Sequence, residues 1–190
     1  MPKKIPSKLY TPSDQDVKNL LAAIDDDELS LAVLLAAFGP LRRGELCALE
    51  RGDIDNNLIT CTKSMVKDFD GAWHVQKRPK TDSSFRTVDF PEFVVKHIPD
   101  KDGRIFDCNP DQITNRFHRT IQKTNLHPLR FHDLRHYAAS IMHAIGVPDQ
   151  YIIARGGWAT DGIMKSVYRN TIDEQAEKMN RKTHEHFSKL

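Results

Sequence analysis

The sequence predicts an α+β fold that is mainly α-helical, with a small antiparallel three-stranded sheet on one side of a helical domain. Apolar residues follow a helical spacing through residues 11–50, and this spacing returns after Pro91. Between these two regions lie three short, often alternating runs separated by Asp, Gly, Ser and Pro, as in strands joined by turns. The chain has 190 residues, of which 39% are hydrophobic and 28% are charged, which suits one globular domain.

Three helices are predicted before the strands. The side chain of Thr11 or Ser13 can cap a first helix that runs to about Ile24 and places Val17 and Leu20 on one face. The next helix is apolar nearly all round, which predicts that it is buried. The second and third helices are expected at residues 28–38 and 43–50.

The strands and the remaining helices follow in order. The strands are predicted at residues 58–63, 73–77 and 86–90, and the helices at residues 91–97, 110–123, 131–145, 148–154 and 161–168. A last helix at residues 173–187 is strongly charged and poor in apolar residues, so it suits either packing on a partner in trans or a solvated tail. Residues 1–10 are interpreted as a linker or tail, residues 11–172 as the folded domain and residues 173–190 as a charged tail.

The distribution of charge is more informative than its total. The formal net charge is only +2, which does not by itself indicate nucleic-acid binding. Residues 116–136, however, contain nine Arg, Lys or His residues and a single acid, Asp133. Such a segment can bind a polyanion, and a solvated cationic face is the alternative.

Membrane and secreted classes are not favoured. No apolar run is long enough to span a bilayer, and the first residues lack the apolar core of a signal peptide. Cys47, Cys61 and Cys108 are odd in number and widely spaced, which predicts reduced thiols in a cytoplasmic protein without a disulfide framework or zinc site.

Two arginines begin the third predicted helix. The planar guanidinium groups of Arg42 and Arg43 fit phosphate oxygens, and Glu45 follows one turn later, where it can hold one of them in place. An ordinary surface salt bridge at a helix start is the alternative interpretation of this motif.

A histidine and an arginine share one face of a later helix. His132 can exchange a proton and Arg135 can bind an anion, a combination that suits phosphoryl transfer. His132 and His136 also have the i, i+4 spacing of a zinc helix, but Asp133 stands where a zincin needs Glu and no clear third ligand follows. A basic helix with a buried histidine is the simplest alternative.

Two further segments carry candidate groups. Lys80 lies in a predicted hairpin turn from which a flexible side chain could donate a proton, although a lone lysine is usually a surface charge. Gly156 and Gly157 end a helix and permit close approach of the backbone, and Trp158 follows with an indole donor. Ten residues later, Tyr168 has a phenol that can act as a nucleophile, with core packing as the alternative.

Together these residues resemble the tyrosine recombinases, or phage integrases. The Leu-Arg-x-Gly-Glu-Leu string at residues 41–46 looks like the first box of that family. His132-x-x-Arg135, followed by Gly-Gly-Trp and Tyr168, looks like the second box. The Pro-Lys-Thr-x-Ser-Ser string at residues 79–84 is similar to the lysine hairpin of the family. These motifs stand in the family's order and spacing, which makes the resemblance specific.

The resemblance covers residues 10–171 and includes two departures. The family commonly has Thr-Gly before Leu-Arg, where this chain has Gly39-Pro40, so the backbone that enters Arg42 is expected to differ slightly. The usual Leu-Gly-His is replaced by Gly156-Gly157-Trp158, a change that occurs in some members and removes one acid/base group.

The resemblance implies a catalytic domain that cuts DNA through a 3′-phosphotyrosyl link to Tyr168, with a 5′-hydroxyl as leaving group. Arg42 and Arg135 would hold the phosphate oxygens, and Trp158 would add a neutral hydrogen bond. Lys80 would protonate the leaving oxygen. No cofactor or metal is implied.

The remaining implied roles are supporting ones. His132 would assist proton transfer or phosphate binding, and Glu45 would orient Arg42. Basic residues are expected to contact DNA outside the centre: Arg43, Arg116, Arg119, Lys123 and Arg130.

The resemblance also implies partners. These are double-stranded DNA attachment sites, further subunits that complete a tetramer on DNA, and accessory proteins that bend DNA, in the cytoplasm of a bacterial host. Family members usually carry an N-terminal core-binding domain that completes a clamp around DNA. Its absence here leads us to expect a truncated or isolated catalytic fragment of a phage or mobile-element integrase.

Alternatives remain for both the nucleophile and the function. Tyr137 is expected to point away from the face of His132 and Arg135, and Tyr151 to pack with its apolar neighbours. A type IB topoisomerase shares the chemistry but relaxes DNA. A DNA-binding relative that no longer cuts is the second alternative, and a metal-dependent nuclease that uses the His-rich segment is the third.

Overall fold

The computed structural model describes residues 10–77, 85–124 and 126–158, together with Arg181, His184, Glu185, Phe187 and Ser188. In these ranges the chain forms helices α1 (Asp14–Ala22), α2 (Asp27–Phe38), α3 (Arg43–Ala48), α4 (Glu92–Val95), α5 (Pro110–Lys123), α6 (Asp133–Ala144) and α7 (Asp149–Gly156). Its strands are β1 (Ile54–Asp55), β2 (Leu58–Cys61), β3 (Ser64–Lys67), β4 (Trp73–Gln76) and β5 (Arg86–Asp89). The mainly helical α+β fold is confirmed.

Local sequence explains where the first helices begin and end. Ser13 caps α1 in a reciprocal pair with Asp16, and the side chain of Asp26 accepts a hydrogen bond from the amide of Leu29 at the start of α2. Helix α2 is buried on nearly every side, as its composition predicts. It ends at Gly39, where a Cβ atom would collide with the ring of Phe90.

The strands are distributed differently from the prediction. The three-stranded antiparallel sheet has the order β1-β2-β5, in which Leu58 lies opposite Asp89 and Cys61 lies opposite Arg86. Strand β4, expected in this sheet, instead pairs with β3 in a separate hairpin. The run that forms β3 was not predicted as a strand, and only Met65 of its four residues is buried.

Helix α6 is the central element of the domain. Its residues from Asp133 to Ser140 are all buried, and it packs against both α2 and α7. Helix α7 in turn contacts β5, and α3 contacts α2, α5 and β3. This arrangement brings the start of α3, the start of β5, the first turn of α6 and the end of α7 close to one another.

Two predicted helices fall outside this description. The helix predicted at residues 161–168 lies outside the described residues, as does nearly all of the one predicted at residues 173–187. Among the helices that are described, none is both long and apolar enough to cross a membrane.

Candidate active site

The end of α7 presents two backbone carbonyls to two arginines. Gly157 closes the helix in a left-handed conformation with φ of 64° and ψ of 40°, which glycine adopts without steric cost. The Nη2 atom of Arg135 donates to the carbonyl oxygen of Gly156 at 2.9 Å, and Nη2 of Arg42 donates to that of Gly157. Consecutive peptide groups therefore hold two guanidinium groups that lie 93 positions apart in the chain.

Glu45 fixes the position of Arg42. Its carboxylate accepts hydrogen bonds from the backbone amide and from Nη1 of Arg42, both at 2.7 Å. Burial alone would raise the pKa of Glu45, but hydrogen bonds and charge from Arg86 and Arg42 outweigh it, so the pKa lies below its ordinary value. The carboxylate is therefore ionised at neutral pH.

Arg135 is a buried cation with few partners. Its side chain is 1% exposed and stacks on the Trp158 ring at 4.9 Å from the ring centre. Its Nε and Nη1 atoms have no hydrogen-bond partner among the residues that the structure describes. Burial, reinforced by the charge of Arg42, lowers the pKa of Arg135 to about 9, so the group stays protonated at neutral pH. Such a cation suits an anionic ligand, because unpaired buried charges are costly.

His132 lies at the start of α6, beside Arg135. Its ring meets that of His136 edge to face, with 5.0 Å between ring centres. Burial, with the Arg135 charge as a second cause, lowers the pKa of His132 to about 4. His132 is therefore neutral at pH 7 in the absence of a ligand and is able to accept a proton. His132 is nevertheless exposed at the surface of the domain, where a ligand can reach it.

Three of the five predicted DNA-contacting residues form hydrogen bonds within the domain. Arg43 donates to Thr114, Arg116 to Glu28 at 2.6 Å, and Arg130 to Asp133 at 2.8 Å. Arg119 and Lys123 are instead exposed on α5. Arg130 is also exposed, but its guanidinium is paired with Asp133.

The structure describes two of the three candidate tyrosines but not the predicted nucleophile. Tyr168 and Lys80 both lie outside the described residues. The hydroxyl of Tyr137 donates to Asp14 at 2.8 Å, and burial together with this hydrogen bond raises the pKa of Tyr137. Tyr151 was expected to pack with apolar neighbours, but this was wrong: it is 61% exposed, because it lies on the outer face of α7.

Sequence reasoning missed one member of the cluster. Arg86 is buried at the start of β5 and donates to both carboxylate oxygens of Glu45, at 3.0 and 2.9 Å. The strand alternation contained the signal: Arg86 shares a face with Val88, which an apolar-inward pattern places in the core.

Comparison with known proteins identifies the family. The family model described as the phage integrase family matches residues 13–175. The chain belongs to the phage integrase family. The "Tyrosine recombinase XerC-like" protein of Caldanaerobacter subterraneus subsp. tengcongensis is 26% identical over 90% of this chain and 53% of its own length. A putative prophage phiRv2 integrase of Mycobacterium tuberculosis is 26% identical over 80% of this chain and 45% of its own length. This integrase-family chain thus spans about half the length of these curated relatives.

Solved structures share the fold of this integrase-family domain. The Tn1549 transposon integrase, in complex with transposon right end DNA, superposes with a TM-score of 0.78 at 18% identity, over 95% of this chain and 68% of that one. The XerA recombinase superposes with a TM-score of 0.71 at 20% identity, over 96% of this chain and 66% of that one. The catalytic domain of bacteriophage HP1 integrase superposes with a TM-score of 0.58 at 21% identity, over 85% of this chain and 86% of that one.

Proposed function

We propose that residues 11–172 form the catalytic domain of a site-specific DNA recombinase, which cleaves and rejoins DNA through a covalent bond to Tyr168. The observation that carries this proposal is the paired arginine site. Arg42 and Arg135 are held by adjacent carbonyls, and Arg135 keeps two guanidinium nitrogens without a described partner. A phosphodiester is an anion whose oxygens match guanidinium donors.

The same arrangement stabilises the transition state of phosphoryl transfer. Attack by the Tyr168 oxygen on phosphorus places additional negative charge on the non-bridging oxygens. Arg42 and Arg135 are positioned before the reaction, and Arg135 is buried, so water screens its charge little. The phosphotyrosyl bond conserves the energy of the broken phosphodiester, and rejoining follows when a 5′-hydroxyl attacks it.

Proton transfer is assigned to Lys80 and His132, and a supporting hydrogen bond to Trp158. Lys80 protonates the leaving 5′-oxygen, as the resemblance implies. His132 is neutral at pH 7 and accepts a proton or a hydrogen bond beside Arg135. Trp158 donates a neutral hydrogen bond to the phosphate while its ring supports the Arg135 guanidinium. The positive charge comes from side chains, so we expect cleavage to proceed in the presence of a chelator.

The DNA duplex is proposed to lie along the exposed face of α5. Arg119 and Lys123 are free to approach backbone phosphates, whereas Arg43, Arg116 and Arg130 first have to exchange an internal partner. DNA affinity should therefore decrease steeply with salt, chiefly through Arg119 and Lys123.

The complete protein is proposed to act as a tetramer on attachment sites in the bacterial cytoplasm, in the integration or excision of a phage or mobile element. Accessory DNA-bending proteins would assist it, and a further N-terminal domain would complete the clamp around DNA. Residues 173–190 would dock on a neighbouring subunit. Deleting them should weaken synapsis of two duplexes more than binding of one duplex, and equal loss of both would contradict docking.

The direct test is formation of a covalent adduct. The protein is incubated without metal on a nicked suicide duplex that carries its attachment site, and the products are separated on a denaturing gel. We expect an adduct with the wild type and with Tyr151→Phe, and none with Tyr168→Phe. An adduct that survives Tyr168→Phe would refute the assigned nucleophile. If the wild type, carrying its clamp domain, forms no adduct on the correct site, the chain is a DNA-binding relative that no longer cuts.

A further inference from the structure

Arg86 occupies a position where the fold calls for an apolar residue. Strand β5 alternates between buried and exposed residues, with Arg86 and Val88 inward and Thr87 and Asp89 outward. The whole side chain of Arg86 is therefore enclosed, and the residue is only 8% exposed. A buried guanidinium is costly unless its donors are satisfied, so the contacts that satisfy them indicate its role.

Among the described residues, the contacts of Arg86 reach three segments around the proposed phosphate site. Nη1 and Nη2 form a two-pronged pair with the Glu45 carboxylate on α3. Nε donates to the carbonyl of Arg155 at 2.8 Å, one residue before the carbonyl that holds Arg135. Nη2 also lies 3.4 Å from the carbonyl oxygen of Pro40, in the turn that leads into Arg42.

Glu45 is shared between two arginines with different surroundings. Arg86 is enclosed, whereas the Arg42 side chain keeps 36% of its surface exposed and can reach a ligand. Because Arg86 occupies one side of the carboxylate, Glu45 is neutralised from within the core and oriented toward the backbone amide and Nη1 of Arg42. Without Arg86, the Glu45 charge would be balanced by Arg42 alone, and the attraction of Arg42 for phosphate would be weakened.

The charge balance supports the same conclusion. Among the described residues of this cluster, Arg42, Arg86 and Arg135 are three cations around the carboxylate of Glu45, which gives a net charge of +2. A phosphodiester carries one negative charge, and more develops as the tyrosine oxygen attacks. Removing Arg86 would halve the net positive charge of the cluster although Arg86 itself need not touch the phosphate.

We propose that Arg86 is a positioning residue for strand cleavage, which acts through Glu45 to hold Arg42 in its phosphate-binding geometry. This inference rests on the proposed function. It predicts that the cleavage step depends on the two-pronged contact rather than on charge alone. Lysine keeps the charge but cannot form the fork, so Arg86→Lys is the informative variant.

The test compares single-turnover adduct formation on the suicide duplex for wild type, Arg86→Lys, Glu45→Gln and the double variant. Thr87→Val, one residue along β5 and facing outward, is the matched control. We expect Arg86→Lys to lower the cleavage rate at saturating DNA about 10- to 100-fold, as supporting residues of reactive sites do. The DNA dissociation constant should change less than about 3-fold, since the duplex contacts lie elsewhere, and Thr87→Val should behave as wild type.

The double variant separates positioning from general support of the fold. If Arg86 acts through Glu45, Arg86→Lys should add no further loss once Glu45→Gln has removed the carboxylate charge. Multiplicative losses in the double variant, or an Arg86→Lys rate within about 2-fold of wild type, would overturn the inference. Adduct formation by the wild type and its absence in Tyr168→Phe establish the proposed function separately. Thermal melting of each variant identifies a loss of rate that comes from unfolding, and the cleavage rates are compared at a temperature below the melting transition of the least stable variant.

Discussion

Replacing Arg135 with methionine is expected to stabilise the DNA-free domain while it abolishes strand cleavage. The lowering of the Arg135 pKa from 12.5 to about 9 corresponds to about 5 kcal/mol in favour of the uncharged form. Because the folded-state pKa lies below the unfolded value, this cost of charging is fully present at pH 7. Methionine removes it and fills much of the same volume.

The substitution also removes favourable contacts. The hydrogen bond to the Gly156 carbonyl and the stacking on Trp158 together contribute about 3–4 kcal/mol. The cost of charging that methionine removes is larger than the contacts that it loses. The free energy of unfolding should therefore rise by about 1–2 kcal/mol, in line with apolar replacements of other buried charges. Cleavage should fall at least about 100-fold, because the substitution removes a proposed donor to the phosphate.

Equilibrium urea unfolding, followed by tryptophan fluorescence, measures the stability change. A gain of this size raises the midpoint by about 0.5–1 M urea. Arg86→Met is the matched variant. It leaves Glu45 buried without its principal partner and should lower the free energy of unfolding by about 3–5 kcal/mol. If Arg135→Met lowers the midpoint instead, Arg135 has a stabilising partner in the free domain, and the reasoning that assigns its open donors to phosphate is wrong.

Three further perturbations follow from the described geometry. Lys123→Gln and Arg119→Gln should each reduce the slope of log affinity against log salt by about 0.9, measured by DNA titration at several salt concentrations, and an unchanged slope would remove that residue from the interface. Because the His132 pKa is about 4 in the folded chain and 6.5 ordinarily, the free energy of unfolding should decline as the pH falls from 6.5 to 4. In urea titrations across this range His132→Gln should show a smaller decline, and an identical decline would assign the effect to other groups. Gly157→Ala should lower the free energy of unfolding by about 1–2 kcal/mol, because residue 157 is left-handed, and it should slow adduct formation. Gly157→Asn should lower the free energy of unfolding less. Equal losses in the two variants would argue against a conformational cause.

The sequence was most informative where a local rule governs the outcome. Helix α5 has the predicted bounds, because Asn109 and Pro110 give a strong start and its apolar residues keep a regular spacing. Gly157 ends α7 as expected for a left-handed cap. The motif order also identified the family before any geometry was available, since spacing along the chain survives even when identity to solved structures is low.

Pairings between distant residues could not be predicted in the same way. The Arg86–Glu45 contact joins positions 41 residues apart, and nothing near either residue specifies the other. The internal partners of Arg116 and Arg43 likewise depend on how α5 packs against the first helices. Strand β4 was placed in the wrong sheet because alternation predicts a strand but not its neighbour.

The hydrogen bond between Arg42 and Gly157 spans 115 positions of the chain, which has a consequence for synthesis. A chain emerging from the ribosome presents α3 long before α7, and contacts between such distant segments form late. Until α7 has folded, Arg42 and Arg135 have no shared backbone to hold them side by side. An interrupted translation product that ends before Gly156 therefore lacks the anchor of both arginines, and under the proposed function only a finished domain could cleave DNA.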